Sequence, residues 1–164
     1  MPGTDGGRSS RDRPAPGTIQ QGDRRKVYRP ISIEKRRAAL EEGLAAYGRG
    51  DFFEAHELME PAWMGTADLA ERALYQGLIK VAAGYVHAVR GNPIGFARNL
   101  RGAREHLATS RRLDPQMAIT AGIDLPALLE GVDERLAAVA AVADDVSAGR
   151  GALIDLLPAA PRIR

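Results

Sequence analysis

No cysteine occurs among the 164 residues of this chain, and that single absence removes disulfides, thiolate metal ligands and thiol catalysis together. Any metal would have to be held by His, Asp or Glu, and only three histidines are available. Long apolar runs are also missing. Nothing approaches the roughly 20 residues that a membrane-spanning helix needs, and the opening MPGTDGGRSSRDRPAPG lacks the apolar core of a signal peptide. The expectation is a cytoplasmic protein with no membrane partner. Runs of β-branched residues alternating with period two are absent as well, so strands have almost no support.

A chain of this length with 45% hydrophobic residues fits one domain with a sizeable core. Its formal net charge of +2 hides an asymmetry. Up to Arg37 there are ten of the 23 Lys and Arg but only four of the 21 Asp and Glu, which leaves a mildly acidic body behind a basic arm. Residues 1–30 are dominated by Gly, Pro, Ser, Arg and Asp. They carry too few apolar groups to offset the entropy of ordering, so a disordered arm is expected before a single helical domain at 31–164. The cluster Arg24, Arg25, Lys26 and Arg29 has the chemistry to touch phosphates. No recognised nucleic-acid module accompanies it, and no nucleic-acid partner is assigned.

The punctuation from Ser32 onward is helical. Ser32 caps a first helix running through Leu40 and Leu44 to Tyr47, ended by Gly48 and Gly50. Asp51 and Glu54 have capping-box spacing at the start of a second helix that continues to about Met64, with Pro61 expected to kink its last turn. Asp68 with Glu71 opens a third helix to Arg90. Asn92 and Pro93 open a fourth, to about Arg112, and a fifth spans about Leu125 to Ala143. Ile154, Leu156, Leu157 and Ile163 are too apolar for a free tail. Pro158 and Pro161 forbid regular helix among them, so an extended segment lying on the body is expected. A faint echo between GRGDFFEA and VRGNPIGFA, whose Gly50 and Gly91 stand 41 residues apart, hints at stacked helical hairpins. The fold class is therefore all-α, a compact bundle of about five helices.

The second helix, within GDFFEAHELMEPAW, places one histidine and two glutamates among apolar groups. At about 100° per residue, Phe52, Ala55, Leu58, Met59, Ala62 and Trp63 share one arc. His56 and Glu60 lie on its margin at i, i+4 spacing, and Glu57 is interleaved with Phe53 and Met64, a pattern that suggests burial on two sides. On the third helix Gln76, Lys80 and His87 form one narrow polar stripe flanked by Ala73, Gly77, Ala83 and Gly84. The two stripes complement each other in charge. The expected arrangement turns the third-helix stripe toward the second helix, so that Lys80 neutralises Glu57 or Glu60 while Gln76, His56 and His87 complete a buried polar cluster beside Trp63.

Three uses of such a cluster stand open. It suits a binding or interaction module for a small molecule or protein, self-association into a homo-oligomer included. It also suits a small metal-assisted or acid–base enzyme of hydrolase-like type with His56, Glu57 and Glu60 as catalytic candidates, or a purely structural polar core. His56, Glu60 and His87 are the metal-ligand candidates, a divalent ion being the alternative to no cofactor at all. Their spacing matches no established helical metal motif, and Lys80 would repel a cation. On the fourth helix Arg98, Arg101, Arg104, Arg111 and Arg112 make a basic side, read as a solvated face.

From Leu44 to Leu107 the chain resembles domain of unknown function 309, a family of small all-helical proteins. The residues that carry the resemblance are the glycine and aromatic pair of GDFFEAHE, Glu60 and Trp63, YQGLIK from Tyr75 to Lys80, Ala83, His87, Gly91 with Asn92, and the helix through Ala103 and Leu107. The resemblance implies a compact helical bundle and no established activity. Pro61 departs from the helix formers usual at that place in the family.

Overall fold

The computed structural model describes residues 18–21 and 24–164, and seven helices follow one short hairpin. Strands β1 (Thr18–Gln21) and β2 (Arg24–Val27) pair antiparallel, with Thr18 opposite Val27. They fall within the arm expected to be disordered, and so do residues 28–30, where Arg29 N bonds Met64 O, so that expectation does not hold over 18–21 and 24–30; residues 1–17 and 22–23 lie outside the described residues. The phosphate-binding expectation for the side chains of Arg24, Arg25 and Lys26 falls outside them too.

The body is all-helical, as composition and punctuation require: α1 (Ile33–Gly48), α2 (Phe52–Gly65), α3 (Leu69–Val89), α4 (Pro93–Leu113), α5 (Gln116–Thr120), α6 (Leu125–Ser147) and α7 (Leu153–Leu156). Caps fix most starts. Ser32 accepts from Lys35 N, Asp68 from Glu71 N at 2.8 Å, Asn92 from Gly95 N at 2.8 Å and Asp124 from Ala127 N at 3.1 Å, each satisfying an orphan amide of a first turn. The starts of α5 and α7, at Pro115 and Ala152, have no side-chain cap, and neither does α2, where Asp51 is expected to supply one. Its side chain makes no capping bond, because Arg49 binds it at 3.3 Å and reaches Glu54 at 3.5 Å, so the expected capping box is replaced by a solvent-facing ion pair.

The helix-to-helix corners share one device. Gly50 and Gly91 adopt φ of +83° and +68°, and beyond them Asp51 N bonds Ala46 O at 3.0 Å and Asn92 N bonds His87 O at 2.9 Å. A left-handed residue closed by a bond back to the last turn is the Schellman ending, which explains the sequence echo between the two glycines. These corners fold α1 back on α2 and α3 back on α4. Helix α3 is central, as its nearly continuous apolar surface foretells: Leu74, Leu78, Val81, Ala82 and Tyr85 are buried, and it touches α2, α4, α5 and α7.

Close approach of α4 to α3 depends on glycine. A Cβ on Gly77 would stand 2.6 Å from Leu107 Cγ, and one on Gly84 would stand 3.1 Å from Leu100 Cδ2. Helix α2 is buried on one side only. Ala55, Met59, Ala62 and Trp63 face the core while Phe53 is 61% exposed and Glu57 is exposed, which corrects the expectation of burial on both sides. The helix runs on past Pro61 to Gly65, and its last carbonyls, Met64 O and Gly65 O, accept from Arg29 N and Ile31 N of the preceding chain.

Two short helices, α5 and α7, extend the expected five. Both are single turns of five and four residues, below the length at which apolar periodicity becomes readable. After α7 the chain lies extended on the body, with Leu157, Pro161 and Ile163 buried. No helix among the described residues is long and apolar enough to cross a membrane.

Candidate functional site

Three of the seven expected site residues stand together on α2. One donor atom each from His56, Glu57 and Glu60 lies within 4.8 Å of the others. His56 Nδ1 is 3.0 Å from Glu57 Oε1, with the imidazole 30% and the carboxylate 53% exposed, so this pair sits at a wet margin rather than in the core. Glu60 is half-buried and itself engaged in an interaction, as is the buried Trp63 beside it.

The third-helix stripe goes elsewhere. Lys80 runs along α4, where a Cβ on Gly102 would meet its Cδ at 2.9 Å and its Nζ at 3.2 Å. The carboxylate of Glu57 pairs with His56, not with Lys80. His87 packs on the first turn of α4: its Nδ1 would be 2.4 Å from a Cβ on Gly95, and Asn92 Nδ2 lies 3.2 Å from the same ring nitrogen. Gln76, half-buried, belongs to that stripe. Lys80 and His87 thus turn to α4 rather than joining the α2 residues. The physical reason is that Gly77 and Gly84, beside the stripe, receive leucines of α4, so the small-residue face turns to α4 instead of α2.

Electrostatics follow these placements. Burial lowers the pKa of His87, with the Arg98 and Arg90 charges adding to the effect. Burial likewise lowers that of His106 on α4, helped by the Lys80 ammonium and opposed by Glu105. His106 is the polar neighbour of Lys80 that sequence reasoning missed. Its spacing of four from Gly102, the point where Lys80 crosses α4, is the signal that would have found it.

The structure also contains a buried charge that the sequence reading treated only as a cap partner. Glu71, 8% exposed, accepts from Arg36 Nε at 3.1 Å and from Tyr75 Oη at 3.0 Å on one carboxylate oxygen, and from Thr66 Oγ1 on the other. Arg36 Nη1 continues to Ile31 O at 2.7 Å, and Arg72 Nη2 donates to Thr66 O at 2.7 Å. The bond to Glu71 raises the Arg36 pKa, while burial and then the Glu71 carboxylate push the Tyr75 phenol well above its ordinary range. Every oxygen of this carboxylate is occupied. The cluster faces a recess of about 420 Å³ between α1, α3 and α5, but its chemistry is that of a clasp holding α1 and residues 29–31 on the end of α2.

Residues 40–99 match the family described as Domain of unknown function (DUF309), which bears out the resemblance read from the motifs. An uncharacterized protein of Aquifex aeolicus (strain VF5) is 33% identical over 67 residues, covering 41% of this chain and 20% of that relative. The chain therefore spans about a fifth of the length of the curated relative it matches. No solved structure matches.

Proposed function

We propose, starting from the DUF309 unit at residues 40–99, that this chain is a binding module whose site is the His56, Glu57 and Glu60 face of α2, and that its ligand is a divalent transition-metal ion. One observation carries the reading: an imidazole and two carboxylates converge within 4.8 Å at a partly shielded margin. That donor set suits zinc, manganese or iron. The repulsion from Lys80 that argued against a cation is weakened, because Lys80 lies along α4. Ligand atoms of a tetrahedral ion stand roughly 3.3–3.6 Å apart, as follows from metal–ligand bonds of about 2.0–2.2 Å, so a rotation of these side chains must close the site. The half-exposed His56–Glu57 contact is cheap to give up.

The test uses the full chain without a histidine tag, titrated calorimetrically with ZnCl2 and with MnCl2. One saturable equivalent is expected, lost in His56→Gln and in Glu60→Gln. At a free ion concentration of about 100 times the dissociation constant, binding should add about 2.7 kcal/mol to stability. Absence of saturable heat, or binding indifferent to both substitutions, refutes the reading.

A further inference from the structure

The extended segment after α7 is held the way a peptide ligand is held. Tyr47 Oη donates to Pro161 O at 2.9 Å, Tyr85 Oη to Pro158 O at 3.4 Å, and Arg135 Nε and Nη2 to Ala159 O at 2.9 and 2.6 Å. Asp124 N donates to Ile163 O at 3.3 Å. Four main-chain carbonyls are thus read by donors from α1, α3, α6 and the turn before α6. Such contacts are indifferent to side-chain identity. Selectivity comes from the rest: Pro161 and Ile163 are buried, and Arg164 makes a two-pronged pair with Glu41 at 2.6 Å on each oxygen.

The groove itself is aromatic. The rings of Tyr47 and Phe52 are 5.4 Å apart, and those of Phe52 and Tyr85 are 5.0 Å apart. Gly131 of α6 leaves the room that Pro161 fills, since a Cβ there would stand 2.9 Å from Pro161 Cβ. The segment reads Pro-Ala-Ala-Pro from Pro158 to Pro161, and Leu157 before it has φ −88° and ψ 150°, close to polyproline II. Extended Pro-x-x-Pro peptides docked on aromatic-lined grooves form a recurrent recognition mode, because a preformed extended helix loses little entropy on binding. Open space of about 440 Å³ continues beside the segment, between Leu44, Phe52 and residues 159–164.

We propose that this groove is a recognition site for an extended peptide of another protein, of the pattern Pro-x-x-Pro-x-apolar-Arg, and that the chain's own Pro158–Arg164 segment holds it closed. Glu41 supplies the charge that selects the terminal basic residue of the pattern. A tethered segment competes at an effective concentration of the order of millimolar, so free peptide meets a closed groove in the native chain. A second copy of this chain is the weaker candidate. Its segment is already seated in its own groove, so exchange gains no contact and costs the freedom of two molecules.

The test is anisotropy of a labelled peptide, LLPAAPRIR, with the full chain and with its Ile163→Ser, Arg164→Glu form, in which the segment is released. The released form should bind at least about tenfold more tightly than the native chain, as expected from removing a millimolar competitor. Adding Tyr47→Phe and Tyr85→Phe, which keep the rings and delete the donors, should abolish that gain. A released form with native helicity but no gain overturns the proposal, and so does a gain that survives both Phe substitutions. A shift of the released form to dimeric mass without peptide capture also overturns it, by assigning the groove to a second copy. Should the double substitution prevent folding, Arg164→Ala alone decides: a gain of about threefold is expected, and none refutes.

Discussion

Removing the Glu71 carboxylate should be among the most damaging single changes to this fold. Its side chain is 11% exposed and that of Arg36 is 16%, so neither charge is bathed in solvent that would screen the pair. In Glu71→Ala, Arg36 Nε, Tyr75 Oη and Thr66 Oγ1 all lose their acceptor while staying shielded. Breaking a buried pair from one side costs about 3–5 kcal/mol, chiefly because the abandoned charge has nowhere to go. For a chain of 150–250 residues each kcal/mol moves Tm by about 2–4 °C, so a drop of the order of 6–20 °C is expected. The assay is urea unfolding followed by far-ultraviolet circular dichroism at neutral pH. Comparing Glu71→Gln, Arg36→Met and the double variant isolates the pair, because Gln keeps the shape, its one oxygen accepting from Tyr75 Oη while its amide nitrogen can donate to Thr66 Oγ1, and Met carries no charge. The double variant should be more stable than the two single losses predict, by about 1–3 kcal/mol. A Glu71→Ala cost under about 1 kcal/mol, or additive singles, would show that the clasp is decoration and the α1–α3 junction is held by apolar packing alone.

Helix existence was legible because each signal was local. The Ser32, Asp68 and Asn92 caps sit three residues from the amide they satisfy, and the Gly50 and Gly91 corners are closed within six residues. What failed was direction. A polar stripe bordered by Gly77 and Gly84 announces that a helix comes close there, yet nothing in α3 says whether α2 or α4 supplies it. The information is held on α4, where Leu100 and Leu107 are spaced by seven, as Gly84 and Gly77 are, so that two knobs match two holes. For the α2 residues proximity was readable, since i, i+1 and i, i+4 neighbours need no tertiary knowledge. The Arg36–Glu71 pair spans 35 residues and involves a glutamate whose capping position already explained it, so no local rule could assign its partner. The same limit hid the groove. Pro158 and Pro161 marked an extended segment lying on the body, while the hydroxyls that receive it come from Tyr47 and Tyr85, over 70 residues away.

Two further outcomes follow from packing and titration. Gly77→Ala should destabilise by about 1–3 kcal/mol, because the new methyl meets both the side chain and the backbone of Leu107, whereas Gly102→Ala meets only the far end of Lys80 and should be neutral or stabilise by up to about 1 kcal/mol through helix propensity. Urea midpoints of the two variants decide it, and equal costs would refute the contact argument. The last concerns pH. Burial and neighbouring cations hold His106 and His87 below the ordinary imidazole value, so the unfolded chain takes up these protons first as pH falls. The unfolded state then binds more protons than the native one, and stability rises with pH in that window. The contribution is intact above about pH 6.5, the unperturbed value, and is lost as pH drops through the depressed native values. Carboxylates held low by partners, such as Glu41 beside Arg164, titrate in more acidic solution and leave the window to the imidazoles. Urea midpoints measured at about pH 7.5, 6.5 and 5.5 should therefore fall with acid in the native chain and fall less in His106→Gln. Parallel curves would mean that His106 is charged in the folded protein despite Lys80 beside it, and that water enters between α3 and α4.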